Sequence, residues 1–133
     1  MSRVYVDTSA VYSLLVATDE NHNRAVDAFR ALEARTAPLA TNSYVLVETY
    51  ALLGRCVGLD AVAAFRDDIQ PLLEVTWVER DLHERGLDLL VARGRATLSL
   101  VDTTSFVLMR DEGIDEAFAY DRHFEKEGFT VIG

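Results

Sequence analysis

Val4-Tyr5-Val6-Asp7-Thr8-Ser9-Ala10 decides how this chain is read. Val4, Tyr5 and Val6 are β-branched or aromatic and too few for a helix, and Asp7, Thr8 and Ser9 belong to the residue types that cap helices. The stretch therefore predicts a strand, a tight turn and the start of a helix. It also predicts an acidic side chain, Asp7, at the carboxyl end of the strand.

The same alternation continues outward. Between Asn21 and Arg35 the apolar residues Ala25, Ala28, Phe29 and Leu32 recur at helical spacing, with Arg24, Asp27, Arg30 and Glu33 on the wet side. Thr36-Ala37-Pro38 interrupts this helix, Leu39-Ala40-Thr41 offers a brief strand, and Asn42 or Ser43 caps an apolar helix running to about Arg55. A further helix from about Asp60 runs into Pro71, which cannot continue a helix interior without cost. Val75 to Val78 reads as a strand, Glu79 to Arg95 as a surface helix and Ser99 to Arg110 as an apolar-rich helix. Ala117 to Tyr120 is a short apolar run ending at Asp121, and Thr130-Val131-Ile132 is a last strand. Strands alternating with helices predict an α/β protein whose central parallel sheet is flanked by helices on both faces. With no repeat, low-complexity tract or interior linker, the expectation is a single domain over residues 1–133.

Composition narrows the function. Half of the residues are apolar, yet no apolar run approaches the roughly 20 residues that cross a bilayer, so a soluble protein with no membrane association is expected. The short stretch before Val4 leaves no room for a leader, which places the protein in the cytoplasm. The lone Cys56, in an apolar helical stretch, reads as a buried structural thiol in a reducing compartment. The net charge of -9 opposes nucleic-acid binding unless clustered carboxylates are offset by cations or a basic partner. Lys126 is the only lysine; the remaining cations are arginines, which suit phosphate contacts but suit pairing with surface carboxylates better here.

Four acidic residues carry the chemistry: Asp7, Glu48, Asp102 and Asp121. In open parallel sheets ligands bind beyond the carboxyl ends of the strands, where Asp7 and Asp121 fall. Glu48 lies in mid-helix with Tyr44, Val45, Ala51 and Leu52 at helical spacing, so its carboxylate is expected on a face that packs on the core. Asp102 has Ser99, Ser105, Phe106 and Met109 at matching offsets. Each Asp has an alternative reading as a cap: Asp7 for the helix after it, Asp102 for Thr103 to Arg110, Asp121 for the turn Arg122 to Lys126. Glu48 caps nothing and would need a buried Arg. One shared metal site accounts for all four more economically, since ionised carboxylates are costly to bury unpaired. Oxygen-only ligands select Mg²⁺ or Mn²⁺ over Zn²⁺, and such ions serve phosphodiester hydrolysis. His22, His83 and His123 lie in polar stretches and read as surface residues.

These pieces resemble the PIN-domain ribonucleases, and within them the small VapC-type toxins. The resemblance runs through Val4 to Ala10, Asn42-Ser43-Tyr44-Val45-Leu46-Val47-Glu48-Thr49, Ser99-Leu100-Val101-Asp102-Thr103-Thr104-Ser105-Phe106, and Tyr120-Asp121-Arg122-His123-Phe124 with Gly128-Phe129. It implies a PIN-like fold and a metal-dependent endoribonuclease, with Asp7, Glu48 and Asp102 as principal ligands of Mg²⁺ or Mn²⁺ and Asp121 as a ligand directly or through water. It further implies that Thr8 or Ser9 orients a carboxylate or a water, and that the partners are an RNA substrate, a small antitoxin and a second copy of the chain in a homodimer. Tyr120 departs from the small hydroxyl residue many relatives place before the last Asp. Arg122 is the basic residue nearest the site in sequence and a candidate for substrate phosphate, with Arg93 and Arg95 behind it.

Three other readings stand beside the toxin. A housekeeping PIN nuclease of RNA maturation would use the same residues. A phosphatase-like hydrolase of the haloacid dehalogenase type would use Asp7 as nucleophile, but that chemistry expects a second Asp two residues on, where Ser9 stands. A binding module would keep the fold without turnover.

Overall fold

Val4, Tyr5 and Val6 are all buried, and they point alternately into two different cores, as a strand covered on both faces requires. The computed structural model describes residues 2–133. In chain order the elements are β1 (Val4–Val6), α1 (Thr8–Leu15), α2 (His22–Ala34), β2 (Leu39–Asn42), α3 (Ser43–Cys56), α4 (Leu59–Ala64), β3 (Leu73–Thr76), α5 (Arg80–Arg93), α6 (Leu100–Glu112), β4 (Glu116–Phe118), α7 (His123–Lys126) and β5 (Thr130–Ile132). The five strands form one parallel sheet in the order β3-β2-β1-β4-β5. The chain steps outward from β1 to β3 and then returns to the other side of β1 with β4. The order thus reverses between β1 and β4, the kind of position where open α/β sheets bind ligands.

Val4, Val6, Leu39 and Phe118 pack with Ala10, Val11, Ala25, Leu32, Leu46, Leu53 and Phe65 on one face, beneath α1 to α4. Tyr5, Ala40, Ala117 and Ala119 pack with Phe106, Met109 and Phe124 on the other, beneath α6 and α7. Small residues at 40, 117 and 119 leave room on that second face for three aromatic rings: Phe106 meets Phe124 edge-on at 5.1 Å and Phe129 at 5.8 Å.

Several boundaries differ from the sequence expectation. The helix expected from Asp60 to Pro71 stops at Ala64 and continues as a π turn, Phe65–Ile69, and a 3₁₀ turn, Gln70–Leu72. Pro71 ends the helical path, as its missing N–H requires. β3 begins at Leu73 rather than Val75 and ends at Thr76, because it pairs with β2 from Leu39–Leu73 to Asn42–Thr76. Beyond it the amide of Val78 donates to Ser43 Oγ at 2.9 Å, and Trp77 is turned out to solvent. Cys56, expected to be buried, is exposed at the carboxyl end of α3.

Candidate metal centre at the carboxyl end of the sheet

Asp7 follows β1 directly and is the N-cap of α1: its carboxylate accepts from the Ser9 amide at 3.1 Å and the Ser9 hydroxyl at 2.6 Å. The cap reading is correct for this residue. Its own amide donates to the Phe118 carbonyl at 3.1 Å, and the Tyr120 amide donates to Ser9 Oγ at 3.0 Å. Ser9 therefore ties the end of β1 to the segment after β4. Tyr120 contributes to this link through its backbone, so the bulky side chain does not disturb it; the ring faces Arg24 and Phe118 instead. The Thr8 hydroxyl is engaged with Thr49 instead, at 2.8 Å.

Asp102 is not the N-cap of its helix. Ser99 holds that position and Asp102 is the third helical residue, closing a reciprocal box: the Asp102 amide donates to Ser99 Oγ at 3.1 Å and the Ser99 amide donates to Asp102 Oδ2 at 3.0 Å. The box fixes the buried carboxylate at the start of α6 with one oxygen committed to the backbone. Asp121 lies three residues past the end of β4, so the strand stops earlier than the apolar run suggested, at Phe118. Its Oδ1 accepts from the His123 amide at 2.9 Å and thereby shapes the turn into α7. Glu48 is half-buried at the rim of α3 rather than on a face packed into the core, since Ala51, one turn on, is exposed.

Of the four, Asp102 and Asp121 belong to one cluster of mutually close ligand atoms, and Asp7 and Glu48 feel that pair through charge. Among the described residues none of the four carboxylates has a Lys or Arg within ion-pairing distance. Burial pushes the Asp7 carboxyl up to about 7, against the hydrogen bonds from Ser9, and the charges of Asp102 and Asp121 push it the same way. Burial also raises Glu48, opposed by a hydrogen bond from Thr8, and again Asp102 and Asp121 add to the rise. Asp102 is raised by burial too, with the Ser99 amide opposing and Asp121 adding. Four mutually repelling carboxylates without a basic counter-charge form a site that a divalent cation would relieve.

His123 was read as a surface residue, and the structure corrects this. Its side chain is 12% exposed, and one of its ring nitrogens, with one carboxylate oxygen each from Asp102 and Asp121, forms a trio in which all three atoms lie within 4.8 Å of one another. The spacing of Asp121 and His123, two residues apart and followed by core-bound Phe124, carried this signal; the polar neighbourhood hid it. His22 and His83 are also partly covered: His22 Nδ1 lies 2.9 Å from the Ser13 carbonyl and His83 meets the Tyr44 hydroxyl.

The arginines behave as the acidic surface suggested. Arg93, Arg95 and Arg110 converge on the Glu127 carboxylate, 4% exposed, at 2.7, 3.3 and 2.8 Å. Arg93 and Arg95 are thereby committed to a structural ion cluster. Arg122 is exposed, makes no ion pair among the described residues, and lines an open hollow of about 300 Å³ with Asp121, Arg24 and Tyr120.

With this geometry in hand, comparison with known proteins decides the family: residues 4–129 match the PIN domain profile. The chain is a PIN-domain protein. This PIN domain is 37% identical over 131 residues to the 23S rRNA-specific endonuclease VapC20 of Mycobacterium tuberculosis, covering 97% of both chains. It superposes on the crystal structure of Mycobacterium tuberculosis VapC20, described as a sarcin-ricin loop cleaving toxin, with a TM-score of 0.82 at 36% identity over 96% of each chain. DNA-bound VapBC from Salmonella typhimurium is similar in fold, with a TM-score of 0.69 at 12% identity over 98% of this chain and 97% of the other.

Proposed function

We propose that this PIN domain is a Mg²⁺- or Mn²⁺-dependent endoribonuclease and the toxin of a toxin-antitoxin pair, acting in the cytoplasm on ribosomal RNA of the large subunit. The observation that carries the reading is that Asp102 and Asp121 lie close together and act through charge on Asp7 and Glu48, with no Lys or Arg in ion-pairing distance among the described residues. The choice of RNA rests on the 37% identity over nearly full length to an rRNA endonuclease.

The donor set fits a hard divalent cation: carboxylates that repel one another when empty, and no thiolate nearby. Asp7, Glu48, Asp102 and Asp121 would hold it. When bound, the ion supplies Lewis-acid chemistry, acidifying water and offsetting charge on the phosphodiester. Ser9 orients Asp7 by donating to its Oδ2, and the Ser99 amide orients Asp102 in the same way. Thr8 is engaged with Thr49, beside the turn of α3 that carries Glu48. Arg122, exposed beside Asp121, is placed to meet an RNA phosphate next to the cut.

An acidic protein whose site is a cluster of carboxylates suits a small antitoxin that presents a basic side chain to it. Exposed Val47, Leu59, Trp77 and Val91 provide apolar surface for that partner or for a second copy in a homodimer. Expression of the wild-type chain in a bacterial host, followed by mapping of new RNA 5′ ends, tests the reading. Discrete ends in large-subunit rRNA, absent with Asp102→Asn, are expected. Growth arrest without any Asp102-dependent RNA end would refute it.

A further inference from the structure

Tyr5 stands in the middle of β1 between two valines, yet it carries a hydroxyl into the core. Asn42, the last residue of β2, and Ser105, in α6, bring two more polar side chains to the same place, and all three are fully buried. Buried polar groups are costly unless hydrogen-bonded, so each proton must have a destination. Asn42 Oδ1 caps α3, accepting from the amides of Tyr44 and Val45 at 2.8 and 3.1 Å. Its Nδ2 therefore faces the other way, toward Tyr5 Oη and, at 3.3 Å, Ser105 Oγ.

An amide nitrogen can only donate, so Tyr5 Oη accepts from Asn42 and spends its own proton on Ser105 Oγ at 2.9 Å. Ser105 in turn donates to the Val101 carbonyl at 2.9 Å. Burial pushes the Tyr5 hydroxyl well above its ordinary range, which keeps that proton in the chain. The result is a single directed run of hydrogen bonds from the first turn of α3, through β1, to the first turn of α6. Both ends abut acids of the site. Glu48 lies one helical turn after Tyr44, Asp102 follows Val101 directly, and Ser105 lies one turn after Asp102.

We propose that Tyr5, Asn42 and Ser105 are positioning residues of the metal site, setting the first turns of α3 and α6 against each other so that Glu48 and Asp102 are presented to it in fixed register. The proposal rests on the metal-dependent reading above. Mg²⁺ and ions like it demand near-ideal octahedral geometry, so affinity is sensitive to how the helices that carry the carboxylates are seated. Partners lying behind metal ligands typically change affinity 10- to 100-fold when they are removed.

Mn²⁺ alone serves as the probe, added to the purified full chain well below its unfolding temperature, with free Mn²⁺ followed by electron paramagnetic resonance. Tyr5→Phe deletes one oxygen and keeps the ring that packs beside Phe124. Its Mn²⁺ affinity is expected to fall about tenfold. In the metal-free protein the Tyr44 and Val45 amides are expected to exchange hydrogen faster, because Asn42 has lost its main anchor. Ser105→Ala should lose as much affinity as Tyr5→Phe, and the double variant should lose little more, as members of one chain do. Leu32→Ala, in the core on the opposite face of the sheet, should lower the unfolding temperature and leave Mn²⁺ affinity within about twofold. Wild-type Mn²⁺ affinity in folded Tyr5→Phe would overturn the positioning role and leave the metal-dependent nuclease intact. Absence of Asp102-dependent Mn²⁺ binding in the wild-type chain would overturn both. If Tyr5→Phe fails to fold, Ser105→Ala decides by the same criterion.

Discussion

Asp7 shows how one side chain can serve the fold and the site together. It caps α1 through the Ser9 amide, yet burial and the charges of Asp102 and Asp121 hold its carboxyl up near 7. The cap was legible in the sequence, and it leaves one oxygen of the carboxylate uncommitted, since both bonds from Ser9 go to Oδ2. The consequence for stability has a definite sign. A carboxyl whose folded pKa is raised above its ordinary value of 3.8 favours the folded state most when protonated. In chelator-treated protein, stability should therefore rise by about 2 kcal/mol as pH falls from 7 to 5, measured by urea unfolding. Saturating Mg²⁺ should abolish that rise by binding the ionised form. Glu127 behaves in the opposite way. Arg93 foremost, with Arg110, holds its carboxyl down to about 2, so its contribution is present above the ordinary glutamate range and is lost as pH falls from about 4.5 toward 2. Glu127→Ala leaves three arginines facing one another, and a loss of about 2 kcal/mol is expected in the same assay at pH 7, modest because the arginines remain partly solvated. Arg122 makes no ion pair among the described residues, and Arg122→Ala should raise KM for an RNA substrate about three- to tenfold with kcat nearly unchanged, as a lost phosphate contact would.

At the scale of elements, the site depends on how α6 is seated. Its first turn carries Asp102, and its neighbour α5 approaches it at Gly86. A Cβ at that position would lie 2.4 Å from Thr104 Oγ1 and 3.0 Å from the Thr104 Cα, while the Gly86 carbonyl accepts from Thr103 Oγ1 at 2.7 Å. Gly86→Ala should thus cost about 1–3 kcal/mol and, by shifting the start of α6, lower metal affinity, measured by thermal unfolding and by Mn²⁺ titration. Nothing in the sequence singles out Gly86, because a glycine within a helical pattern does not reveal which neighbour it admits. Strand positions were legible where alternation was strong, as at Val4 to Val6, and displaced where propensity misled. Val75-Thr76-Trp77-Val78 has the composition of a strand, but pairing with β2 sets the register at Leu39–Leu73 and leaves Trp77 outside. The capping of α6 was misassigned for a related reason: Ser99 and Asp102 form a reciprocal box, and a single candidate cap was sought in their place.

At the scale of the whole molecule, the sheet order β3-β2-β1-β4-β5 sets the end of β1, with Asp7, beside the segment after β4, with Asp121, 114 residues later in sequence, and the βα alternation made that parallel sheet foreseeable. What sequence could not supply was the electrostatic setting of these acids: that among the described residues no arginine forms an ion pair with Glu48, and that His123 turns inward beside Asp121. In a chain of net charge -9, seven of the thirteen Lys and Arg residues are tied in ion pairs among the described residues, which leaves six to meet RNA phosphates. The most direct measurement is cleavage of a ribosomal RNA pool by the purified protein, free of partner, with Mg²⁺ or Mn²⁺, with chelator, and with Asp102→Asn as the contamination control. The account predicts discrete cuts that require both the divalent ion and Asp102; equal cutting by the folded Asp102→Asn protein, or cutting that persists undiminished in chelator, would contradict it.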